Sequence, residues 1–184
     1  MHKILLLGPQ GSGKGTQAAI LSEKLGIPAL SMGQLLRDEI EKGGMIADRI
    51  RDIVHGGGLV GDDVAIVVLA KRLQEADALQ GYILDGFPRN EEQFTAYDGY
   101  DQPTHVVVLN LQKDASLERI AHRARIEVRA DDTPEVIAKR LALYDAETIP
   151  MLEHHYTSRG IVHQVDASGT IDEVAERVWD AVNR

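Results

Sequence analysis

The chain has 184 residues, no cysteine and a formal net charge of −9. That length holds one well-buried core; the lack of cysteine excludes disulfides and Cys-based zinc sites and suits a reducing compartment; the acidic balance argues against a nucleic-acid backbone as partner but leaves room for small anions in a locally positive cleft. Apolar residues make up 43% and aromatics 4%, as in a globular protein with an aliphatic core, and no run approaches the roughly 20 apolar residues of a membrane span.

The first predicted element is a strand from Lys3 to Leu7. The chain starts directly with it, leaving no space for a signal peptide, so a cytoplasmic address is expected. Gly8-Pro9-Gln10-Gly11-Ser12-Gly13-Lys14-Gly15-Thr16-Gln17 comes next and opens a helical pattern. Its glycines let the backbone turn tightly and aim N–H groups inward, Lys14 adds a charge, and the helix N-terminus adds a positive dipole end. An ordinary strand-to-helix turn needs no such run, and polyphosphate is the guest it fits. The spacing is G-x-x-x-x-G-K, with Gly15 where a hydroxyl usually follows the lysine and Thr16 one place later.

A second strand is predicted at Ala29 to Ser31. Gly43-Gly44 and Gly56-Gly57-Gly58 punctuate the helical stretch beyond it, the latter suited to hinge a flap. A third strand, Tyr82 to Asp85, lies in the run Gly81-Tyr82-Ile83-Leu84-Asp85-Gly86-Phe87-Pro88-Arg89-Asn90-Glu91-Glu92-Gln93. This run sets a carboxylate at the end of a buried strand and an arginine after a rigid turn. Asp85 is suited to hold magnesium through its waters, and Arg89 to grip a phosphate bidentately.

His105 to Asn110 is the fourth strand. Arg119 and Arg123 then share one helix face at i and i+4. Asp131-Asp132-Thr133 before Pro134 is a cap-then-proline start for a long helix, expected to kink near Pro150 before reaching Tyr156. The adjacent His154 and His155 point to different helix faces with no third ligand in view, which assigns them structural or solvent roles. Ile161 to Val165 is the fifth strand, and Gly169 makes a turn. Ile171, Val174, Ala175, Val178, Trp179 and Val182 then recur at the spacing of a core-facing helix. Strands alternating with helices imply an α/β fold whose parallel sheet is covered on both faces and binds ligands at the carboxyl ends of its strands. The segments after residues 7, 31 and 85 should therefore line one cleft.

These motifs together resemble the adenylate kinase family, nucleoside monophosphate kinases of the short-lid type, over essentially the whole length. The loop from Gly8 resembles G-x-P-G-x-G-K-G-T-Q, with Gln10 for the proline, and Asp85 to Arg89 reads D-G-F-P-R. The resemblance implies a P-loop three-layer αβα fold with a five-stranded parallel sheet, a single domain over 1–184, a mobile helical AMP-binding flap at about 31–60 and a short lid at about 123–133. It assigns Gly11, Ser12, Gly13, Lys14, Gly15 and Thr16 to ATP, and Gly86, Phe87, Pro88 and Arg89 to AMP. Gln93 would read the adenine of AMP, where uridylate-cytidylate relatives tend to carry asparagine. Ser31 to Arg37 resembles S-T-G-D-x-L-R, so Arg37 would hold the AMP phosphate; Met32 stands in place of the threonine and Gln34 in place of the acidic residue. Gly57-Gly58-Leu59-Val60 resembles the G-x-L-V segment, so Gly58, Leu59 and Val60 would flank the AMP base, with Gly61 replacing the proline that often follows.

On the ATP side, Arg119 would lie over the adenine, Arg123 would reach the phosphates and the Gly169 backbone would approach the base. Arg129, in an R-x-D-D match, and Arg140 would complete the arginine cage. Ala124 to Val128 would be a lid too short for a zinc knuckle. The implied reaction is reversible phosphoryl transfer from MgATP to AMP, giving two ADP, by a monomer that uses neither nucleic acid nor membrane. No general base is required, since a monophosphate loses its second proton near roughly pH 6. Lys14, Arg89, Arg123, Arg129 and Arg140 would surround the transferring group, with Asp85 near the metal. Such like charges imply that lid and flap stay open until both nucleotides neutralise them. Two other readings remain at this level: a pyrimidine or broad-specificity monophosphate kinase, suggested by Met32, and a nucleotide switch, opposed by the misplaced lysine of Asn110-Leu111-Gln112-Lys113-Asp114.

Overall fold

The structure, a computed structural model, describes residues 1–45, 47–48, 50–51, 62–124 and 133–183, with backbone alone described at 62, 63, 123 and 124. Five strands, β1 (His2–Leu7), β2 (Ala29–Ser31), β3 (Gly81–Asp85), β4 (His105–Asn110) and β5 (Val162–Asp166), form one sheet in the order β2-β3-β1-β4-β5. Every neighbouring pair is parallel. The helices between them are α1 (Lys14–Leu25), α2 (Met32–Lys42), α3 (Asp62–Leu73), α4 (Glu91–Asp98), α5 (Lys113–Ala124), α6 (Pro134–Leu143), the single turn α7 (Ile149–Met151) and α8 (Ile171–Val182). The sequence-predicted strands are all present, and α/β with a five-stranded parallel sheet is the observed class.

The apolar runs in the central strands are explained by burial on both faces. Leu5, Leu7, Tyr82, Leu84, Val106 and Val108 point to one side, into a core completed by residues of α2, α3 and α4. Ile4, Leu6, Ile83, Val107 and Leu109 point to the other, against α1 and α8. The period-2 alternation of side chains thus fills two separate cores from one sheet. β1 lies at its centre, with β3 on one side and β4 on the other. The loop leaving β1 therefore emerges where the strand order reverses, the place at which open parallel sheets bind ligands.

At the opposite, amino end of the strands the Tyr97 hydroxyl lies 2.7 Å from that of Tyr82, which donates to Asp101 Oδ2 at 2.9 Å; Lys3 pairs with the other oxygen of Asp101. His2, His105 and His163 form a row on β1, β4 and β5, with successive ring centroids 5.7 Å apart.

Three local expectations are corrected. The fifth strand runs one residue later than predicted: Ile161 precedes it, though its carbonyl accepts from Val106 N at 2.8 Å. Ile171 does not face the core; it is 58% exposed and borders the cleft, whereas Ala181, absent from the predicted stripe, is buried. Ile171 follows the Thr170 cap, whose reciprocal bonds with Glu173 fix the start of α8 and leave that first residue on the outer side of the turn.

The third correction concerns the long helix. Thr133 caps α6 by accepting from Val136 N, with Pro134 in the first turn, as expected. Beyond Leu143, however, helical backbone continues through two π-helical segments, Tyr144–Thr148 and Leu152–Tyr156, on either side of α7. Pro150 has no N–H for an i→i−4 bond. The chain accommodates it by widening the turn, with Ile149 N bonding the carbonyl of Tyr144. In the second segment both adjacent histidines reach Glu91: His155 bonds it while stacking on Phe94 at 3.9 Å, and His154 lies 3.6 Å from it.

Candidate active site

A cavity of about 1140 Å³ opens at the carboxyl ends of the strands. It exceeds the roughly 300–1,000 Å³ typical of a pocket for one drug-sized ligand, and it collects the segments after β1, β2 and β3 as the topology requires. Lined by Gly8 and Gln10–Gln17 on one side, it reaches Met32, Gly33, Arg37, Asp85, Arg89 and Gln93 on the other, with Arg119, Arg140 and Gly169 at its margin.

In the glycine-rich loop, Gly11 has φ +84° and its α-carbon is pressed against α5: a β-carbon there would lie 2.6 Å from the Ser116 carbonyl oxygen and 2.9 Å from Ile120 Cγ1. Gly13, at φ 91°, turns the chain into α1, whose first turn holds no acidic residue and receives no side-chain cap. These amino-terminal N–H groups, together with the dipole, form an anion-binding concavity. Lys14 folds back on the loop, Nζ donating to the carbonyls of Gly8 and Pro9 at 2.9 Å each. The Ser12 hydroxyl and Gln17 Oε1 are buried with no hydrogen-bond partner, an unusual condition for buried polar atoms.

Asp85 ends β3 directly beside this loop: a β-carbon on Gly15 would stand 3.7 Å from Asp85 Oδ2. Thr16 borders the same space. A carboxylate and a hydroxyl are hard donors of the kind that suit Mg²⁺ and its waters, so Asp85 and Thr16 fit the ion that a nucleoside triphosphate carries.

Arg89 is fixed by its own turn. Its Nε donates to the Gly86 carbonyl at 2.6 Å, its backbone N–H to Gln93 Oε1 at 2.9 Å, and its carbonyl accepts from Thr148 Oγ1 at 2.7 Å. Burial holds the Arg89 guanidinium below its usual pKa; Asp85 opposes this and the like charge of Arg140 adds to it. It is still a cation at neutral pH. Gln93 is buried, and the Asn90 side chain caps α4 by accepting from its N–H at 2.8 Å. Gly86, Phe87 and Pro88 are buried below the cavity.

On α2, Gln34 Oε1 accepts from Arg37 Nη2 at 2.8 Å and Nε at 3.2 Å, while Gln34 Nε2 donates to Asp38 at 2.6 Å. The amide thus links a cation and an anion where the family pattern has a carboxylate. Met32 is buried at the cavity floor. On the far side, Arg119 donates to the carbonyls of Ala167 at 3.0 Å and Gly169 at 3.4 Å, bringing together two positions 50 residues apart that were both assigned to ATP. The Arg123 side chain, Gly58, Leu59, Val60, Arg129 and the lid residues 125–132 lie outside the described residues. The cavity also takes in Tyr144, Thr148, Thr170 and Ile171, which sequence reasoning did not assign. Thr170 carries a local signal as a helix cap, with Glu173 three residues on, but not as a cavity residue.

A phosphate-binding loop at the sheet's switch point, facing a strand-end aspartate and cationic side chains across one cavity, defines a P-loop phosphotransferase of small nucleotide substrates. The adenylate kinase family profile matches residues 6–161. The chain is 42% identical to the adenylate kinase of Stenotrophomonas maltophilia (strain R551-3) over 98% of both chains, and 44% identical to that of Xylella fastidiosa (strain M12) over 96% of both. It is 42% identical to that of Xanthomonas campestris pv. campestris (strain 8004), covering 99% of this chain and 100% of the relative. The chain belongs to the adenylate kinase family and is a phosphotransferase.

Proposed function

We propose that the protein catalyses reversible transfer of the terminal phosphoryl group of MgATP to AMP, giving two ADP. The observation that carries this reading is the single cavity joining the phosphate loop to Arg37, Arg89 and Gln93, with Arg140 at its edge. ATP occupies the loop side, its phosphates on the N–H groups of Gly11 to Thr16 and on Lys14, its base between Arg119 and the Gly169 backbone. AMP occupies the other side, its phosphate held by Arg37 and Arg89. Its base sits against Met32 and Gln93 and, in the flap, Gly58, Leu59 and Val60.

Transfer needs positioning and charge neutralisation more than proton chemistry. Lys14 leaves the loop carbonyls to bind phosphate, and Arg89, Arg123, Arg129 and Arg140 surround the moving group, stabilising its charge in a site that closure makes dry. Asp85, through water, and Thr16 hold Mg²⁺, which supplies further neutralisation of the ATP phosphates. Closure of the flap at about 31–60 and the lid at about 123–133 waits for both nucleotides, so ATP hydrolysis without AMP stays negligible.

Among the described residues no helix is long and apolar enough to cross a membrane. We propose a cytoplasmic monomer without nucleic-acid partners, the last in keeping with the net charge of −9. The test is to incubate the purified protein with MgATP and each nucleoside monophosphate in turn and resolve the products. Two ADP per AMP consumed, with little conversion of UMP or CMP, is expected. Comparable conversion of UMP or CMP would replace this reading with a broad-specificity kinase, and no transfer would end it.

A further inference from the structure

We infer that Thr148 is a positioning residue for phosphoryl transfer, holding the Arg89 backbone from a segment remote in sequence, and that the π-helical turn before Pro150 places it there. The inference rests on the reaction proposed above. Gln93, which fixes the Arg89 N–H, lies on the same turn as Arg89 and moves with it. Thr148 comes from a segment 59 residues away, is 3% exposed, and donates its hydroxyl to the Arg89 carbonyl at 2.7 Å. It therefore ties the strand-end turn carrying one cleft arginine to the helical rod carrying another, Arg140.

The register of that rod explains the placement. In an uninterrupted α-helix each residue turns about 100°, so Thr148, eight residues beyond Arg140, would point about 80° away from it. The bond from Ile149 N to the Tyr144 carbonyl closes a wider i→i−5 turn. One extra residue in a turn rotates the downstream residues back by about 100°, leaving Thr148 within about 20° of Arg140. Both residues do border the cavity. Two neighbouring guanidinium groups repel each other in the nucleotide-free protein, so the Arg89 backbone needs such an anchor to keep its side chain preset for the phosphoryl group. Preset geometry is what this reaction requires, since a displacement of about 1 Å can cost about a hundredfold in rate.

The test compares Thr148→Val, which removes the hydroxyl at nearly constant shape, with Thr148→Ser, which keeps it. Initial rates of ADP formation are measured beside the wild type over ranges of AMP and MgATP, with urea midpoints recorded for each. Thr148→Val should lower kcat by about tenfold or more and leave the KM for MgATP within about twofold, while Thr148→Ser regains most of the rate. An unchanged kcat in Thr148→Val, or a loss of rate that Thr148→Ser does not regain, overturns the inference. If Thr148→Val does not fold, Thr148→Ser against Thr148→Ala isolates the hydroxyl, and equal kcat values overturn it. An active wild type with unaffected variants removes only this inference; a wild type that makes no ADP from ATP and AMP removes the reading beneath it as well.

Discussion

Gly11 shows how closely backbone and site are linked at the scale of one residue. Its positive φ and its contact with the Ser116 carbonyl leave no space for a side chain. Gly11→Ala should cost about 1–3 kcal/mol in stability and weaken ATP binding, because the loop can relieve the clash only by moving its N–H groups. Urea unfolding and an ATP titration check both parts. On the proposed mechanism, Arg89→Ala and Arg140→Ala should each lower turnover by about a hundredfold or more, since each would remove a cation that stabilises developing charge. Neither should lower the urea midpoint appreciably: Arg89→Ala removes a cation whose pKa is drawn down by burial first and by the like charge of Arg140 second, and Arg140→Ala relieves that second cause. Wild-type turnover in either variant would remove that arginine from the catalytic set. Most site positions were legible as residue types in a pattern: glycines and a lysine after a strand, an aspartate and an arginine at another strand's end. What Gln34 does was not legible, because an amide bonding Arg37 and Asp38 at once depends on rotamers that spacing does not set.

At the scale of elements, the ends are where local chemistry decides. The Thr170–Glu173 capping box starts α8, the helix that packs on α1 and covers one face of the sheet. Thr170→Ala should cost about 1 kcal/mol, read as a lower urea midpoint. Tyr156 presents the opposite case: it is fully buried, yet its hydroxyl has no partner. Tyr156→Phe should therefore be neutral or stabilising by up to about 1 kcal/mol, and a clear loss of stability would mean that the hydroxyl is satisfied. The strands, the cap at Thr133 and the stop at Gly43 follow from short-range signals. The π turns do not, because proline in a helix can be met by a kink, a break or a widened turn, and packing of Thr148, Leu152 and Tyr156 selects the third.

The whole molecule should lose stability at both ends of the pH scale. Burial, then the neighbouring His163 and His2, hold the His105 pKa below 6.5. Its neutral form is the one the fold favours, so the stability it contributes is present above about pH 6.5 and lost as pH falls through the folded value. His105→Gln should flatten the fall in urea midpoint between pH 7 and 5; an unaltered slope would assign that limb to other groups. Burial raises the phenols of Tyr82, Tyr97 and Tyr156 and pushes Tyr144 up to about 12. These contributions are complete below pH 10 and disappear above it, so unfolding should ease steeply from about pH 10 upward.

By itself the sequence determined the phosphate loop, the parallel α/β class and the family, because these rest on glycine conformations, strand alternation and short motifs that act within a few residues of themselves. Only the tertiary structure decided which of those motifs meet. Arg119 touching the Gly169 carbonyl, Thr148 gripping Arg89 and Ile171 turned from core to cleft are contacts between segments brought together by the order of strands. That order is set by two cores filled at once, a condition that no single stretch of the chain expresses.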